Sequence, residues 1–214
     1  MAAPLEFYFD FSSPYSYLAH VRLPEIARRA GRALVYCPVD LAEIKRAAGN
    51  IGPAAQDLPA KQRYVRQDTL RWAARYGVPL AEPAGRTAPL LNRGVFFAMA
   101  RDRAREYVDA VYRRIWGEGN TMDAPAALDE TARELGWDTA ELQQYVVSEA
   151  AESQACALIK QAREQAVFGV PTVVADGRLW WGNDRLFLVA AYLENDCPPS
   201  TAPACVGVPE HSNG

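Results

Sequence analysis

The chain has almost no histidine and no cysteine pair. Among its 214 residues, histidine occurs only as His20 and His211. Two histidines are too few for a multi-histidine metal site, and they offer few candidates for a Ser-His-Asp catalytic triad. We expect Cys37, inside an apolar strand, to be a buried free thiol. The cysteines show neither metal-ligand nor redox spacing, so no disulfide framework is predicted for the four of them: Cys37, Cys156, Cys197 and Cys205.

Long apolar runs and a surplus of charge of one sign are also missing. The chain carries 23 basic and 26 acidic residues, a net charge of -3, so it lacks the electrostatic footprint of a nucleic-acid-binding protein. The first residues lack the basic-then-apolar pattern of a signal segment, and no stretch is apolar over a membrane-spanning length. We therefore expect a cytoplasmic protein with neither a nucleic-acid nor a membrane partner.

The most informative segment that is present lies near the N-terminus, where an apolar strand runs into a helix start. Its sequence is Phe7-Tyr8-Phe9-Asp10-Phe11-Ser12-Ser13-Pro14-Tyr15-Ser16-Tyr17. Ser13 suits the N-cap and Pro14 the first helical position. Free backbone N–H groups and the positive end of the helix dipole would then face a bound thiolate or carboxylate. Alone, the pattern is equally typical of a plain capped helix.

A second motif, Val170-Pro171, supports a functional interpretation of the Ser13-Pro14 turn. Ser13-Pro14-Tyr15-Ser16 resembles the Cys-Pro-x-Cys turn of thioredoxin-like proteins, and Val170-Pro171 resembles the cis-proline that faces this turn in them. Both cysteines of the turn are replaced by serine. Thiol–disulfide exchange needs a protein thiolate, so a dithiol oxidoreductase is disfavoured and the sulfur must come from a cofactor.

The order of elements along the chain agrees with this resemblance. Strand, helix and strand patterns cover 5–11, 15–30 and 34–39, helical spacing continues from 41 to about 164, and Asp176-Gly177 then marks a hairpin before a closing helix to 195. We predict an α/β fold in which a thioredoxin-like domain (1–42 and 166–196) is interrupted by an all-helical insertion (43–165). A flexible tail follows at 197–214.

Over nearly the whole chain, the sequence resembles the 2-hydroxychromene-2-carboxylate isomerases and their relatives, the kappa-class glutathione transferases and DsbA-like proteins. No single motif is specific, but their order and spacing are. Besides the two motifs above, the matching segments are Asp40-Leu41 with Lys45, Gly49-Asn50-Ile51-Gly52-Pro53, Trp72-Ala73, Tyr76-Gly77-Val78-Pro79-Leu80, Trp116-Gly117-Glu118-Gly119 and Trp180-Trp181-Gly182-Asn183-Asp184-Arg185-Leu186.

The resemblance implies glutathione as cofactor, with its thiol beside Ser13 as the catalytic residue. It places the cysteinyl backbone against Val170 and Pro171, and Asn50 within hydrogen-bonding reach of glutathione or substrate. Ser12 and Ser16 are weaker candidates beside the thiol. The γ-glutamyl end would be surrounded by a further set of residues, for which helix capping and core packing are the alternative roles: Trp181, Gly182, Asn183 and Asp184.

The resemblance also implies the substrate contacts. Lys45 and Arg86 would bind an aromatic keto acid, and Lys61 is a weaker candidate for the glycine carboxylate of glutathione. The sequence departs from the family at Ala54-Ala55-Gln56 and over 84–89. The glutathione half of the site therefore looks intact, whereas the substrate half is altered.

The implied activity is glutathione-dependent isomerisation of 2-hydroxychromene-2-carboxylate, or a close analogue, in the breakdown of naphthalene-type hydrocarbons. A kappa-like glutathione transferase is the alternative enzyme, and the product discriminates between the two. A third hypothesis is a non-catalytic thioredoxin-like domain, which predicts no glutathione binding. The apolar insertion buries either the face of a homodimer or only its own core.

Overall fold

A four-stranded mixed sheet forms the centre of the computed structural model, which describes residues 3–50, 52, 58–85, 88–121 and 123–194. The order across the sheet is β2-β1-β3-β4. β1 and β2 are parallel, while β3 is antiparallel to both β1 and β4. The strands are β1 (Leu5–Phe9), β2 (Leu34–Pro38), β3 (Thr172–Ala175) and β4 (Arg178–Trp181).

The parallel β1–β2 pair is joined by the helix α1 (Pro14–Arg29), and α9 (Leu186–Leu193) follows β4. Between β2 and β3 the described residues form helices only. These are α2 (Leu41–Ala47), α3 (Pro59–Tyr76), α4 (Pro89–Met99), α5 (Ala104–Tyr112), a π-helical turn (Arg113–Gly117), α6 (Ala124–Leu135), α7 (Thr139–Val146) and α8 (Glu149–Glu164). The predicted thioredoxin-like β-α-β and β-β-α units, interrupted by helices, are confirmed.

Alternation along the strands divides the core between the two faces of the sheet. Phe7 and Phe9 point to the face covered by α1 and α5, where they join the larger apolar cluster. Tyr8 and Cys37 point to the opposite face and pack with Ala162 of α8. Cys37 is a buried free thiol, as predicted.

The register brings the functional ends of the strands to one edge. Tyr8 of β1 lies opposite Thr172, the first residue of β3. Because β3 is antiparallel to β1, the end of β1 and the start of β3 lie at the same edge of the sheet. α1 and α2 also begin at this edge, since each follows a strand that ends there.

Two predicted boundaries are wrong. The first strand ends at Phe9 rather than residue 11, because Asp10 and Phe11 bond to side chains instead of a neighbouring strand. Asn183 and Asp184 do not cap the last helix: they lie in a 3₁₀ turn (Asn183–Arg185), and α9 begins at Leu186 without a side-chain cap. The tail predicted at 197–214 lies outside the described residues.

Candidate functional site

Ser13 caps α1 in the geometry that the sequence predicts. Its φ and ψ are extended, at -99° and 115°, and Pro14 opens the helix. The Ser13 Oγ accepts a hydrogen bond from the Ser16 N–H at 3.2 Å, and only 5 % of Ser13 is exposed. A serine hydroxyl has one proton to donate besides its acceptor positions. That proton therefore remains available for a ligand at the helix N-terminus.

The side chain of Asp10 stabilises the turn between β1 and α1. Its two carboxylate oxygens accept hydrogen bonds from the backbone N–H groups of Ser12 and Leu41, each at 2.8 Å. This pairing ties the turn after β1 to the start of α2. Burial raises the pKa of the Asp10 carboxyl, while the hydrogen bonds from Ser12 and Leu41 act in the opposite direction.

Residues of the helical segment between β2 and β3 also form hydrogen bonds to the turn between β1 and α1. The Trp116 Nε1–H donates to the carbonyl oxygen of Phe11 at 2.7 Å, and the Tyr112 hydroxyl donates to that of Asp10 at 3.4 Å. Both donors are buried. Because a buried carbonyl is costly to leave unpaired, these contacts make the conformation of the turn depend on the helical segment.

Asn92 of α4 completes this support. Its Oδ1 accepts from the backbone N–H of Phe11, and its Nδ2 donates to the carbonyl of Val39, both at 3.2 Å. Asn92 is 5 % exposed and has apolar neighbours in its helix. In the sequence, a lone asparagine among apolar helix residues indicates a buried amide that needs hydrogen-bond partners. The neighbouring residues of the helix do not identify those partners, because they lie in distant segments.

The second motif lies at the same edge of the sheet. The Val170–Pro171 peptide bond is cis, as the resemblance to thioredoxin-like proteins implies. The Gly182 N–H donates to the Pro171 carbonyl at 2.9 Å, which joins the end of β4 to this loop. Neither the N–H nor the C=O of Val170 has a hydrogen-bond partner among the described residues. Val170 can therefore pair with an extended peptide ligand.

Beside this loop is a partly exposed aromatic pair. Phe168 and Trp181 have ring centroids 5.2 Å apart and are 40 % and 49 % exposed. Trp181 is therefore not core filler, which was the alternative reading of the sequence. A Cβ on Gly169 would lie 2.9 Å from the Trp181 Nε1, so glycine at this position allows the indole to approach the loop.

Asn183 follows Trp181 by two residues and is almost completely buried, with 2 % exposure. Its Oδ1 accepts from the Tyr76 hydroxyl at 3.1 Å, and its Nδ2 has no partner within the described part of the chain. An unpaired buried amide N–H is costly and fits a ligand acceptor. Asp184 is exposed and pairs with Arg185.

The other residues predicted to contact glutathione or substrate are not shown to lie together in one site. Lys45 is half-buried in the last turn of α2, and the Asn50 N–H donates to its carbonyl at 2.9 Å. Asn50 and Lys61 are exposed. Arg86 and the altered stretch Ala54-Ala55-Gln56 lie outside the described residues. The structure thus brings together the residues proposed for glutathione more clearly than those proposed for the substrate.

The buried histidine was not singled out from the sequence. His20 Nε2 lies 2.6 Å from Asp109 Oδ1, and His20 is 4 % exposed. His20 is seven residues after Ser13 along α1, which corresponds to roughly 10 Å of helix. That separation is too long for His20 to take a proton directly from Ser13. Ser13 is therefore suited to donate a hydrogen bond rather than to act as a nucleophile.

The described part of the chain offers neither a metal site nor a membrane-spanning helix. There, no cluster of three or more histidine, cysteine, aspartate or glutamate side chains is arranged to hold a metal ion. Within the same ranges, no helix is both long enough and apolar enough to cross a membrane.

Comparison with known proteins agrees with this geometry. Residues 4–194 match the family model of the DSBA-like thioredoxin domain. The chain is 39 % identical to a 2-hydroxychromene-2-carboxylate isomerase of Pseudomonas putida over 193 residues, covering 90 % of this chain and 95 % of that protein. It is 27 % identical to glutathione S-transferase kappa 1 of Rattus norvegicus over 205 residues, covering 88 % and 90 % of the two chains.

A solved structure of a 2-hydroxychromene-2-carboxylate isomerase superposes on the described fold with a TM-score of 0.85. The two chains are 39 % identical, and the match covers 90 % of this chain and 95 % of the other. The similarity therefore extends over both the sheet and the helices that hold the Ser13 turn.

Proposed function

Since the chain belongs to the family of 2-hydroxychromene-2-carboxylate isomerases, within the DSBA-like thioredoxin domains, we propose that it is a glutathione-dependent isomerase. Its substrate is 2-hydroxychromene-2-carboxylate or a close analogue, and its product is trans-o-hydroxybenzylidenepyruvate. We place the reaction in the cytoplasm, in the degradation of naphthalene-type aromatic hydrocarbons. The observation that carries the proposal is a serine-capped turn without a thiol, at the sheet edge where the backbone of Val170 is free to bind a peptide.

Three features fit glutathione at this edge. The free N–H and C=O of Val170 suit the cysteinyl backbone in an antiparallel arrangement. The buried, unpaired Asn183 Nδ2 suits the carboxylate of the γ-glutamyl group, and the Asp184 carboxylate suits its ammonium. Trp181 and Gly182 enclose this end in the proposal, and Asn50, three residues after the end of α2, is a further hydrogen-bonding candidate.

Ser13 activates the thiol in this proposal. Its hydroxyl donates to the sulfur, and the N-terminal end of the sixteen-residue helix α1 adds a positive potential. Both interactions favour the thiolate and lower the pKa of the thiol. The network of Asp10, Trp116 and Asn92 keeps the hydroxyl in place, so little reorganisation is needed when charge develops on the sulfur.

When bound, glutathione supplies a nucleophile that adds reversibly to the substrate, permits ring opening and bond rotation, and is released unchanged. The protein holds the keto acid through the charges of Lys45 and Arg86. We also propose that the chain forms a homodimer. Tyr64 and Leu70, which are 59 % and 49 % exposed on α3, offer apolar surface for it, and sedimentation analysis tests this assembly.

The similarity to the rat kappa-class enzyme favours a second candidate, a glutathione transferase that conjugates glutathione to an electrophile. The product separates the two activities. A stable thioether that consumes glutathione indicates transfer, whereas glutathione recovered in full indicates isomerisation.

The test of the proposal is the ultraviolet spectrum of 2-hydroxychromene-2-carboxylate mixed with dialysed protein, with and without glutathione. We expect a fast change to the benzylidenepyruvate spectrum only when glutathione is present. Glutathione binding without this change would contradict the isomerase and favour the transferase. A change at equal rate without glutathione would contradict the cofactor.

A further inference from the structure

A tyrosine and a carboxylate meet beside the first turn of α1, and neither has been assigned to glutathione or substrate above. Tyr15 follows Ser13 by two residues, a rise of about 3 Å along the helix, and its side chain is half-buried. The Tyr15 hydroxyl donates to the Oδ2 of Asp68 on α3 at 2.9 Å. This bond therefore joins α3 to the end of α1 that carries the Ser13 cap.

Two contacts give the direction of α3 along α1. Tyr15 bonds to Asp68, and further along, the Arg22 guanidinium lies over the ring of Tyr76, 5.5 Å from its centroid. The second contact follows the first on both helices, so α1 and α3 run side by side in the same direction. Because Tyr76 also donates to Asn183, the later contact lies near the proposed γ-glutamyl end, whereas the bond between Tyr15 and Asp68 lies at the start of α1.

The start of α1 is the end at which the substrate reacts in the proposed function. The glutathione thiol lies beside Ser13, so the carbon that it attacks lies there too. In the sequence, the stretch Ala54-Ala55-Gln56, which belongs to the altered substrate half of the site, ends three positions before α3 begins at Pro59. Both observations associate Tyr15 and Asp68 with the substrate rather than with the cofactor.

The charges around Asp68 suit a group that accepts a proton. Among the described residues, no basic side chain lies within salt-bridge distance of its carboxylate, and Arg66 of the same helix is paired with Glu82 instead. Burial raises the pKa of the Tyr15 hydroxyl, and the hydrogen bond to Asp68 raises it further. Tyr15 therefore keeps its proton while Asp68 is ionised, and the Tyr15 oxygen can still accept a hydrogen bond. A bond that only joined two helices would not need a carboxylate without a cation.

We propose that Tyr15 and Asp68 form a catalytic pair that carries the proton of ring opening. This role rests on the proposed function, in which the substrate is a cyclic hemiketal with a hydroxyl on C2. The hemiketal hydroxyl gives its proton to the Tyr15 oxygen while Tyr15 gives its own proton to Asp68. The C2 carbonyl forms as the bond between C2 and the ring oxygen breaks, and the electron pair of that bond stays on the ring oxygen. The proton then returns from Asp68 through Tyr15 to this phenolate oxygen, which becomes a phenol.

The experiment compares two substrates in the presence of glutathione. 2-Hydroxychromene-2-carboxylate must open its ring, whereas the cis isomer of benzylidenepyruvate has no ortho hydroxyl and no ring to open, and needs only the rotation that the thiolate permits. Tyr15→Phe should slow the chromene roughly a hundredfold, as is typical for the loss of general acid–base catalysis, and leave benzylidenepyruvate nearly unaffected. Asp68→Asn should give the same pattern, because the amide oxygen still accepts the bond from Tyr15 but does not take up its proton.

Tyr17→Phe is the matched control. Tyr17 lies on the same helix, and its hydroxyl donates to the Pro79 carbonyl at 2.9 Å, so the variant loses an equivalent bond without touching the pair. It should leave the ratio of the two rates unchanged.

The two substrates also separate the failure of the pair from the failure of the proposed function. Equal slowing of both substrates by Tyr15→Phe would show a merely structural role, and a full rate on the chromene in either variant would also overturn the pair. If the unchanged protein isomerises neither substrate with glutathione, the proposed function fails and the role of the pair with it. Isomerisation of both, with the same ratio of rates in every variant, refutes only the pair.

Discussion

Trp116 offers a test of the idea that the helical segment holds the catalytic turn. Its indole N–H donates to the Phe11 carbonyl at 2.7 Å, and the side chain is 8 % exposed. Trp116→Phe retains an aromatic ring but removes the donor. The buried Phe11 carbonyl then loses its partner, which costs about 1–3 kcal/mol. The smaller ring adds a further loss from imperfect packing.

Trp137→Phe is the matched control. Trp137 is half-buried and stacks on Tyr107, with ring planes 13° apart, and its indole N–H has no hydrogen-bond partner among the described residues. The two variants remove the same atoms, so the difference in their free energies of unfolding reports the hydrogen bond together with the deeper burial of Trp116. We expect Trp116→Phe to be more destabilising by about 1 kcal/mol or more.

Urea denaturation followed by circular dichroism measures this difference, and hydrogen exchange locates it. The Ser13 N–H, which donates to the Asp10 carbonyl at 3.0 Å, should lose protection in Trp116→Phe and keep it in Trp137→Phe. Equal destabilisation by both variants, with unchanged protection of Ser13, would refute the reasoning that this bond positions the turn.

Three further predictions concern Asp10, Gly169 and Cys37. Burial raises the folded-state pKa of Asp10. The contribution of this carboxyl group to stability is therefore full at low pH and is lost as pH rises through the raised pKa. Urea denaturation should show that the stability of the protein relative to Asp10→Asn falls above about pH 4. Gly169→Ala should weaken glutathione binding in calorimetry, because the new Cβ would lie 2.9 Å from the Trp181 Nε1. Burial raises the pKa of the Cys37 thiol to about 12, so a thiol reagent at neutral pH should modify the exposed Cys156 and leave Cys37 intact until the protein unfolds.

Each of these predictions has a control or a contradicting result. A relative stability of Asp10→Asn that is constant with pH would show that the pKa is not raised. Gly117→Ala is the control for Gly169→Ala, since its Cβ would meet no atom closer than 3.7 Å, and an equal effect of the two would exclude the indole contact. Fast modification of Cys37 in the native protein, identified by mass spectrometry, would contradict its burial.

The parts of the fold that the sequence predicted are those determined locally. The cap at Ser13 and the helix start at Pro14 depend on neighbours within a few residues. The hairpin at Asp176-Gly177 was also predictable: both residues have positive φ, 51° and 73°, as the favoured two-residue hairpin turn requires.

What the sequence did not predict depends on contacts between distant segments. Helix capping was an alternative role considered for Asn183, but the hydroxyl of Tyr76, more than a hundred positions earlier, donates to its side-chain oxygen. In the same way, the partners of Asn92 and Trp116 in the turn after β1 are known only once α4 and the π-helical turn (Arg113–Gly117) are packed on the sheet. The residue types indicated that these side chains need hydrogen-bond partners, whereas the packing of distant segments determines which residues the partners are.

The central claim, that the Ser13 turn activates a borrowed thiol, is tested most directly by the ultraviolet thiolate absorbance of bound glutathione as pH is raised. Ser13→Ala is compared with Ser148→Ala, because Ser148 caps α8 with the same 3.2 Å side-chain bond and each loss costs about 1 kcal/mol of stability. We predict that the thiol pKa is lowered in the unchanged protein and in Ser148→Ala, and that it rises by about one unit or more in Ser13→Ala. The same thiol pKa in both variants would contradict the account.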